Sequence, residues 1–302
     1  MPHHNLVQAT RQEFLQSIAA KRPVTNKIIL IGPDHFSINQ QQILSSSEDW
    51  NLSTGTFVYE KLFDLPNANL VLKNDHAIYN PLADLKNYFP KASVYPILIG
   101  QKVDTNTLDT LVSQIIKICD SNCLLVASVD FSHYLPATLA EVHDAFTINN
   151  LHNLDSQNIL KAEVDSPQSL YILTRFSQLK KFNLFAHTNS GYLSQNPDTE
   201  TTTHVFGSYS FGLSSKSKIK TSTITPETFD RSYGVDKFTI DPSSQFVIST
   251  INNTTSFLLI KNHQFIHGPE KQQLIKNYFD SIPNDKSLTK DYFWGKLTYE
   301  RR

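Results

Sequence analysis

Three stretches of the chain lead into a histidine or an aspartate. "IILIGPDHF" (28–36) delivers His35, "LLVASVDFSHYL" (124–135) delivers Asp130 and His133, and "NDHAIYNPL" (74–82) adds His76 from a loop. Neutral imidazole is a good ligand for iron, copper or zinc, and two histidines plus one anion leave coordination positions open for a substrate or oxygen. A further histidine, titrating near neutral pH, suits general acid or base work. Asp130, three residues before His133, is placed to orient that imidazole; the competing role is a cap on the next turn. The chain also begins "MPHHNL". Two histidines are too few for a purification tag, and they lead straight into an amphipathic segment.

The surrounding pattern supplies the elements that position these groups. Residues 26–32, 93–100 and 123–129 are continuous apolar runs, the mark of strands buried on both faces. Between them, 8–21 and 105–119 space their apolar residues as helices, and 137–151 and 165–181 read the same way. The last of these starts with Asp165 or Ser166 as N-cap and Pro167 at the first helical position. A strand over 203–213 closes the unit. Strands alternating with helices predict an α/β fold, a doubly wound, mostly parallel sheet flanked by helices. Ligands of such sheets bind outside the carboxyl ends of the strands, where His35, Asp130 and His133 fall.

We divide the chain into an α/β domain (1–213), a polar, lysine-rich linker (214–226) and a small α+β extension (227–302). The extension should hold three short strands, a helix near 269–281 and a final strand near 291–299. A net charge of −1 with 39% apolar residues excludes a nucleic-acid footprint and a disordered chain. With no apolar run able to span a bilayer and no signal-peptide core, we expect a cytoplasmic protein without membrane contact. Cys119 and Cys123 then read as two reduced structural thiols. His143, His152 and His204 read as surface or packing residues, and His263 and His267 as hairpin residues.

Five blocks in order, "GPDHF", "DWNLSTG" (49–55), "DHAIYNPL" (75–82), "SVDFSHYLP" (128–136) and "DSPQSLY" (165–171), resemble the Memo-like family, whose bacterial and archaeal members are labelled AmmeMemoRadiSam system protein B. That family is similar in fold to the class III extradiol (LigB-type) dioxygenases. The resemblance covers residues 1–213 and implies a mononuclear divalent-metal site, iron(II) first, with copper or zinc as alternatives. It implies His3, from the family's Pro-His pair, and His35 as metal ligands. Asp130 and His133 would lie beside the metal, His133 as acid/base, with His76 lining the site.

The resemblance implies a third ligand, a glutamate in the dioxygenases and a cysteine in the family's animal member, and the corresponding window (185–207) has no cysteine. His187 is the nearest strong ligand there, with Glu200 and Asp198 as anionic alternatives. Ala77 and Tyr79 replace the Gly and Trp of the dioxygenases' D-H-G-x-W motif. The resemblance therefore implies a metal-dependent, dioxygenase-like oxidoreductase. The alternative is a non-catalytic module binding a small molecule or peptide in the same cleft, and a homodimer is compatible with either. A ligand at position 3, with no strand before it, costs more ordering entropy than one on a rigid element.

Overall fold

The computed structural model describes residues 1–36, 40–53, 55–58, 61–135, 137–195 and 200–210, with no account of the side chains at 138, 139, 141 and 142. Beyond these it describes the strand backbones 236–241, 244–251, 254–261 and 264–265. In chain order the helices are α1 (Gln8–Lys21), α2 (Asn69–Asn74), α3 (His76–Tyr88), α4 (Thr105–Ile118), α5 (Ala137–Asn153), α6 (Ser156–Ile159), α7 (Pro167–Phe176) and α8 (Ser190–Leu193). The strands are β1 (Lys27–Pro33), β2 (Ile43–Ser45), β3 (Trp50–Leu52), β4 (Gly55–Phe57), β5 (Ser93–Ile99), β6 (Cys123–Ala127), β7 (His133–Leu135), β8 (Lys181–Asn189) and β9 (Thr201–Ser210). Four further strands, β10 (Asp236–Asp241), β11 (Ser244–Ile251), β12 (Thr254–Lys261) and β13 (Gln264–Phe265), pair antiparallel in that order.

The central sheet runs β2-β5-β1-β6, with β5, β1 and β6 parallel and β2 antiparallel at the edge. After Lys27, β1 is apolar and buried because both faces are covered. Ile29 and Ile31 enter a layer with Leu108, Leu111 and Ile115 of α4 and Leu170 of α7. Ile28 and Leu30 enter the opposite layer with Phe14 and Leu15 of α1 and Leu82 and Leu85 of α3. The chain leaves β1 for β5 on one side and then crosses to β6 on the other. The carboxyl end of β1 is therefore the switch point at which such sheets open a crevice.

Several elements differ from the sequence expectation. His76 is the first residue of α3 instead of a loop residue, because the Asp75 side chain accepts the Ala77 N–H and starts the helix there. The helix expected over 165–181 ends at Phe176, where Ser177 N–H bonds back to the Leu173 and Thr174 carbonyls. Leu179 then adopts φ 68°, and the chain turns into β8, which joins β7 and β9 in an antiparallel sheet of order β7-β9-β8. Cys119 and Cys123 form a disulfide and are not reduced thiols. Cys119 ends α4 and Cys123 opens β6, so the turn between them brings the Cα atoms to 5.0 Å, within disulfide reach. The linker, the helix near 269–281, the strand near 291–299, Asp198, His263 and His267 lie outside the described residues. Among the described residues no helix is long and apolar enough to cross a membrane.

The β8–β9 ribbon carries a steric constraint at Gly207. A Cβ there would stand 2.2 Å from Cζ and 2.6 Å from Cε2 of Phe182, a ring packed against Tyr209. We predict that Gly207→Ala destabilises the protein by about 1–3 kcal/mol, the cost of overpacking. Adding Phe182→Leu, which removes the outer ring atoms, should restore part of that loss in urea unfolding.

Candidate metal centre

Residues 1–4 belong to no strand or long helix, yet they are tied at nearly every polar backbone atom. The Met1 nitrogen donates to the Ala127 carbonyl at 2.8 Å, and Val129 N–H donates to the Met1 carbonyl. His3 N–H donates to Asp130 Oδ1, and Asn80 Nδ2 donates to the His3 carbonyl. Arg11, fully buried and paired with Asp84 at 2.7 Å, donates through Nη1 to the His4 carbonyl. The segment thus runs along the end of β6 and delivers His3 to the crevice.

Hydrogen bonds set the tautomer of His3. The Ser128 hydroxyl donates to the Ala77 carbonyl at 2.6 Å, so towards His3 Nδ1, 3.3 Å away, it can only accept. Nδ1 therefore carries the proton and Nε2 presents its lone pair. That lone pair faces Asp130 Oδ2 and Asp165 Oδ2, each at 3.3 Å. His35, following β1, is oriented in the same manner by Asp75. Asp75 Oδ1 lies 2.8 Å from His35 Nδ1, while Oδ2 accepts the His35 N–H at 3.0 Å. A carboxylate on one imidazole nitrogen leaves the other for a metal, and His35 Nε2 lies 3.9 Å from Asp165 Oδ2. His76 stacks on His35 with ring centroids 4.0 Å apart.

Among the described residues two groups emerge whose ligand atoms lie within 4.8 Å of one another: His3, His35 and His76, and His3, Asp130 and Asp165. His3 belongs to both. Asp165 Oδ1 is buried without a hydrogen-bond partner, a carboxyl oxygen left open for a cation. Imidazoles with carboxylates suit a divalent transition metal, so the donor set fits the implied ion.

The structure decides between the two possible caps of α7. Ser166 takes that role, its side chain accepting the Ser169 N–H, and Asp165 is left to face His3. Pro167 at the first helical position makes Ser166 the N-cap by register, and that signal could have singled out Asp165 from sequence. Asp130 is not a cap either; its carboxylate meets His3. His187 lies apart from both groups, with Nε2 2.7 Å from Asp144 Oδ2. Asp144, fully buried on α5, also accepts the Ser132 and Thr203 hydroxyls at 2.9 Å each. Through these bonds it anchors the turn that carries Asp130 and His133. Glu200 is exposed and belongs to neither group. His133 opens β7 opposite Thr202, next to a register shift at which Tyr134 adopts φ 58°.

Burial dominates the electrostatics. It holds His3 well below its ordinary range, helped by His35 and His76. It pushes Asp165 well above the carboxylate range, helped by Asp130, and raises Asp130 to about 6. Burial also lowers His133 to about 4 and His204 to about 3. A cavity of about 1070 Å³ beside β6 contains none of these groups; donor chemistry, and not volume, marks the site.

A family model described as Memo-like protein matches residues 1–202. A MEMO1 family protein of Caldivirga maquilingensis is 23% identical over 43% of this chain and 50% of its own length. One of Thermoplasma volcanium is 22% identical over 66% and 80%, respectively. One of Aquifex aeolicus is 36% identical over 44% and 38%. The matched region thus spans half the length of the Caldivirga relative and less of the Aquifex one. The crystal structure of an uncharacterized Escherichia coli K12 protein covers 64% of this chain and 91% of its own at 10% identity, with a TM-score of 0.37, too loose to carry an argument. The chain belongs to the Memo-like family.

The pKa shifts act on stability in opposite directions. Unfolded His204 titrates near 6.5 and folded His204 near 3, so the unfolded chain takes up a proton that the fold refuses. Stability is therefore lost as pH falls below 6.5, by about 1.4 kcal/mol per pH unit. Asp130, raised from 3.8 to about 6, is penalised when ionised, so its penalty holds above about 6 and is relieved as pH falls toward 3.8. We predict that from about pH 7.5 to about pH 5 the wild type loses about 2 kcal/mol more unfolding free energy than His204→Phe. Asp130→Asn should stabilise the metal-free protein at both pH values, by about 3 kcal/mol at the higher and about half of that at the lower. Urea unfolding at the two pH values checks both.

Proposed function

We propose that this Memo-like chain is a mononuclear metal protein and a metal-dependent oxidoreductase of the dioxygenase-like type, with iron(II) as its ion. One observation carries the reading: the lone pairs of His3 Nε2 and His35 Nε2 converge on Asp165 Oδ2, at 3.3 and 3.9 Å. Two imidazoles and one carboxylate with open positions form the donor set of non-haem iron(II) sites. On this reading His3, His35 and Asp165 hold the ion, in place of a set completed by His187. Asp130 and His76 stand at its margin.

When bound, the metal would supply a Lewis acid and a place for dioxygen beside the substrate. The chain's own groups do the rest. Asp75 holds His35 in the tautomer whose Nε2 faces the site, and Ser128 does the same for His3. His133, kept neutral at pH 7 by burial, is available to take a proton from a substrate hydroxyl. Asp144 steadies the turn that carries it. The ligand would be a small chelating molecule entering from the side of the exposed His35 and His76.

Metal analysis of the purified chain tests this proposal. Iron, copper or zinc should be stoichiometric in the wild type and lost in His3→Ala, His35→Ala and Asp165→Asn, while His187→Ala keeps it. Asp75→Asn should weaken metal affinity by about 10–100-fold, the usual cost of removing an orienting partner. With iron(II) and a panel of catechols, oxygen uptake should vanish in His133→Ala although metal is retained. Metal content that is negligible, or indifferent to His3 and His35, sinks the reading. Metal uptake and ligand binding without oxygen consumption would favour the non-catalytic alternative.

A further inference from the structure

Alternate side chains of β9 leave on opposite faces. Thr203 turns toward α5, where it donates to Asp144. His204 leaves on the other face, shared with Phe206, whose ring lies 5.9 Å from that of Phe14 on α1. Its register partner across the ladder is Thr188 of β8, so the two side chains stand side by side. His204 is 0% exposed, yet neither of its ring nitrogens has a hydrogen-bond partner. The Thr188 hydroxyl is buried and unpartnered as well. An unsatisfied buried polar group costs about 1–3 kcal/mol, and three such atoms at one cross-strand position mark a place where a polar group belongs.

Two further imidazoles border this place. The His4 ring lies 5.4 Å from that of His204, and His4 is exposed, so it forms the outer wall. Its Nδ1 accepts the Leu6 N–H, which leaves Nε2 as a donor. His133 pairs with Thr202, two residues before His204 on β9, and so faces the same way. Three residues before it stands Asp130, whose Oδ2 lies 3.3 Å from His3 Nε2. His133 thus connects this place to the metal centre.

We propose that His204 and Thr188, walled by His4, form a subsite beside the metal centre that binds a hydroxyl group of the substrate. A neutral imidazole offers one donor and one acceptor, and a threonine hydroxyl offers both. None of these groups brings a fixed charge, so the set suits a neutral group that donates and accepts, and not a carboxylate or an ammonium. The inference rests on the reading of the centre as a metal site taking a chelating substrate.

The full chain, loaded with redox-inert zinc(II), is titrated with catechol and with pyrogallol by calorimetry. Both offer two adjacent hydroxyls to the metal, and pyrogallol adds a third. The wild type should bind pyrogallol about tenfold more tightly, the effect of one satisfied buried group. His204→Phe and Thr188→Val should each erase that preference. Thr188→Val keeps the side-chain shape and answers even where His204→Phe does not fold. Equal affinity for the two phenols in the wild type, binding of neither, or a preference that survives Thr188→Val overturns the subsite. Zinc content, measured on the same samples and in His3→Ala, reports separately on the metal reading; the hydroxyl preference decides the subsite whatever that content is.

Discussion

Asp130 and Asp165 are buried next to one another with a single imidazole nitrogen, His3 Nε2, 3.3 Å from both. Taking a carboxylate out of water costs several kcal/mol, and a second one beside it adds repulsion. Part of that cost is offset locally: His3 N–H donates to Asp130, and Asp130 N–H donates to Asp165 Oδ2. The remainder is unrelieved in the metal-free fold, which is why both carboxyls are pushed above their ordinary range. A divalent cation among these groups would offset that penalty and take up lone pairs that the hydrogen bonds leave open. The start of α7, the turn after β6 and the residues before α1 together hold this pair in place.

The residues before α1 illustrate how a histidine without a strand of its own is made rigid. Ordering such a segment costs backbone entropy, and the compensation is spread over many partners. Met1 pairs with the end of β6, Asn80 of α3 holds the His3 carbonyl, and Arg11 of α1 reaches the His4 carbonyl. Arg11 is itself buried and fixed by Asp84 on α3. A buried ion pair contributes little net stability but is costly to break. Here it locks α1, α3 and the His3 segment into one arrangement, joining the sheet's packing to the geometry of the centre.

The β7–β9–β8 sheet separates two polar environments. On one face His187 and Thr203 meet Asp144, whose buried charge is fully bonded. On the other, His204 and Thr188 are left unsatisfied beside His4 and His133. Neighbouring residues on one strand thus end in opposite states of hydrogen-bond satisfaction, because the pleat sends one toward α5 and the next toward α1.

Local pattern was enough to place the runs at β1, β5 and β6, the helices α1 and α4, and the exits that carry His35, Asp130 and His133. Strand and helix periods depend only on neighbours in the chain, and connection rules put those exits at one end of the sheet. The same pattern ran the 165–181 helix past Phe176 and hid β8, because the backbone reversal at Leu179 leaves no mark of glycine or proline. It put His76 on a loop, because a single capping bond from Asp75 to the Ala77 N–H starts α3 there and leaves no periodic mark. Only the tertiary structure decided that Asp165 faces His3 while Ser166 caps, that His187 meets Asp144, that Cys119 and Cys123 are bonded, and that His204 is buried without a partner. Each of these depends on distances of a few ångströms between elements far apart in the chain. Periodicity carries no information at that scale; packing of one element on another sets it.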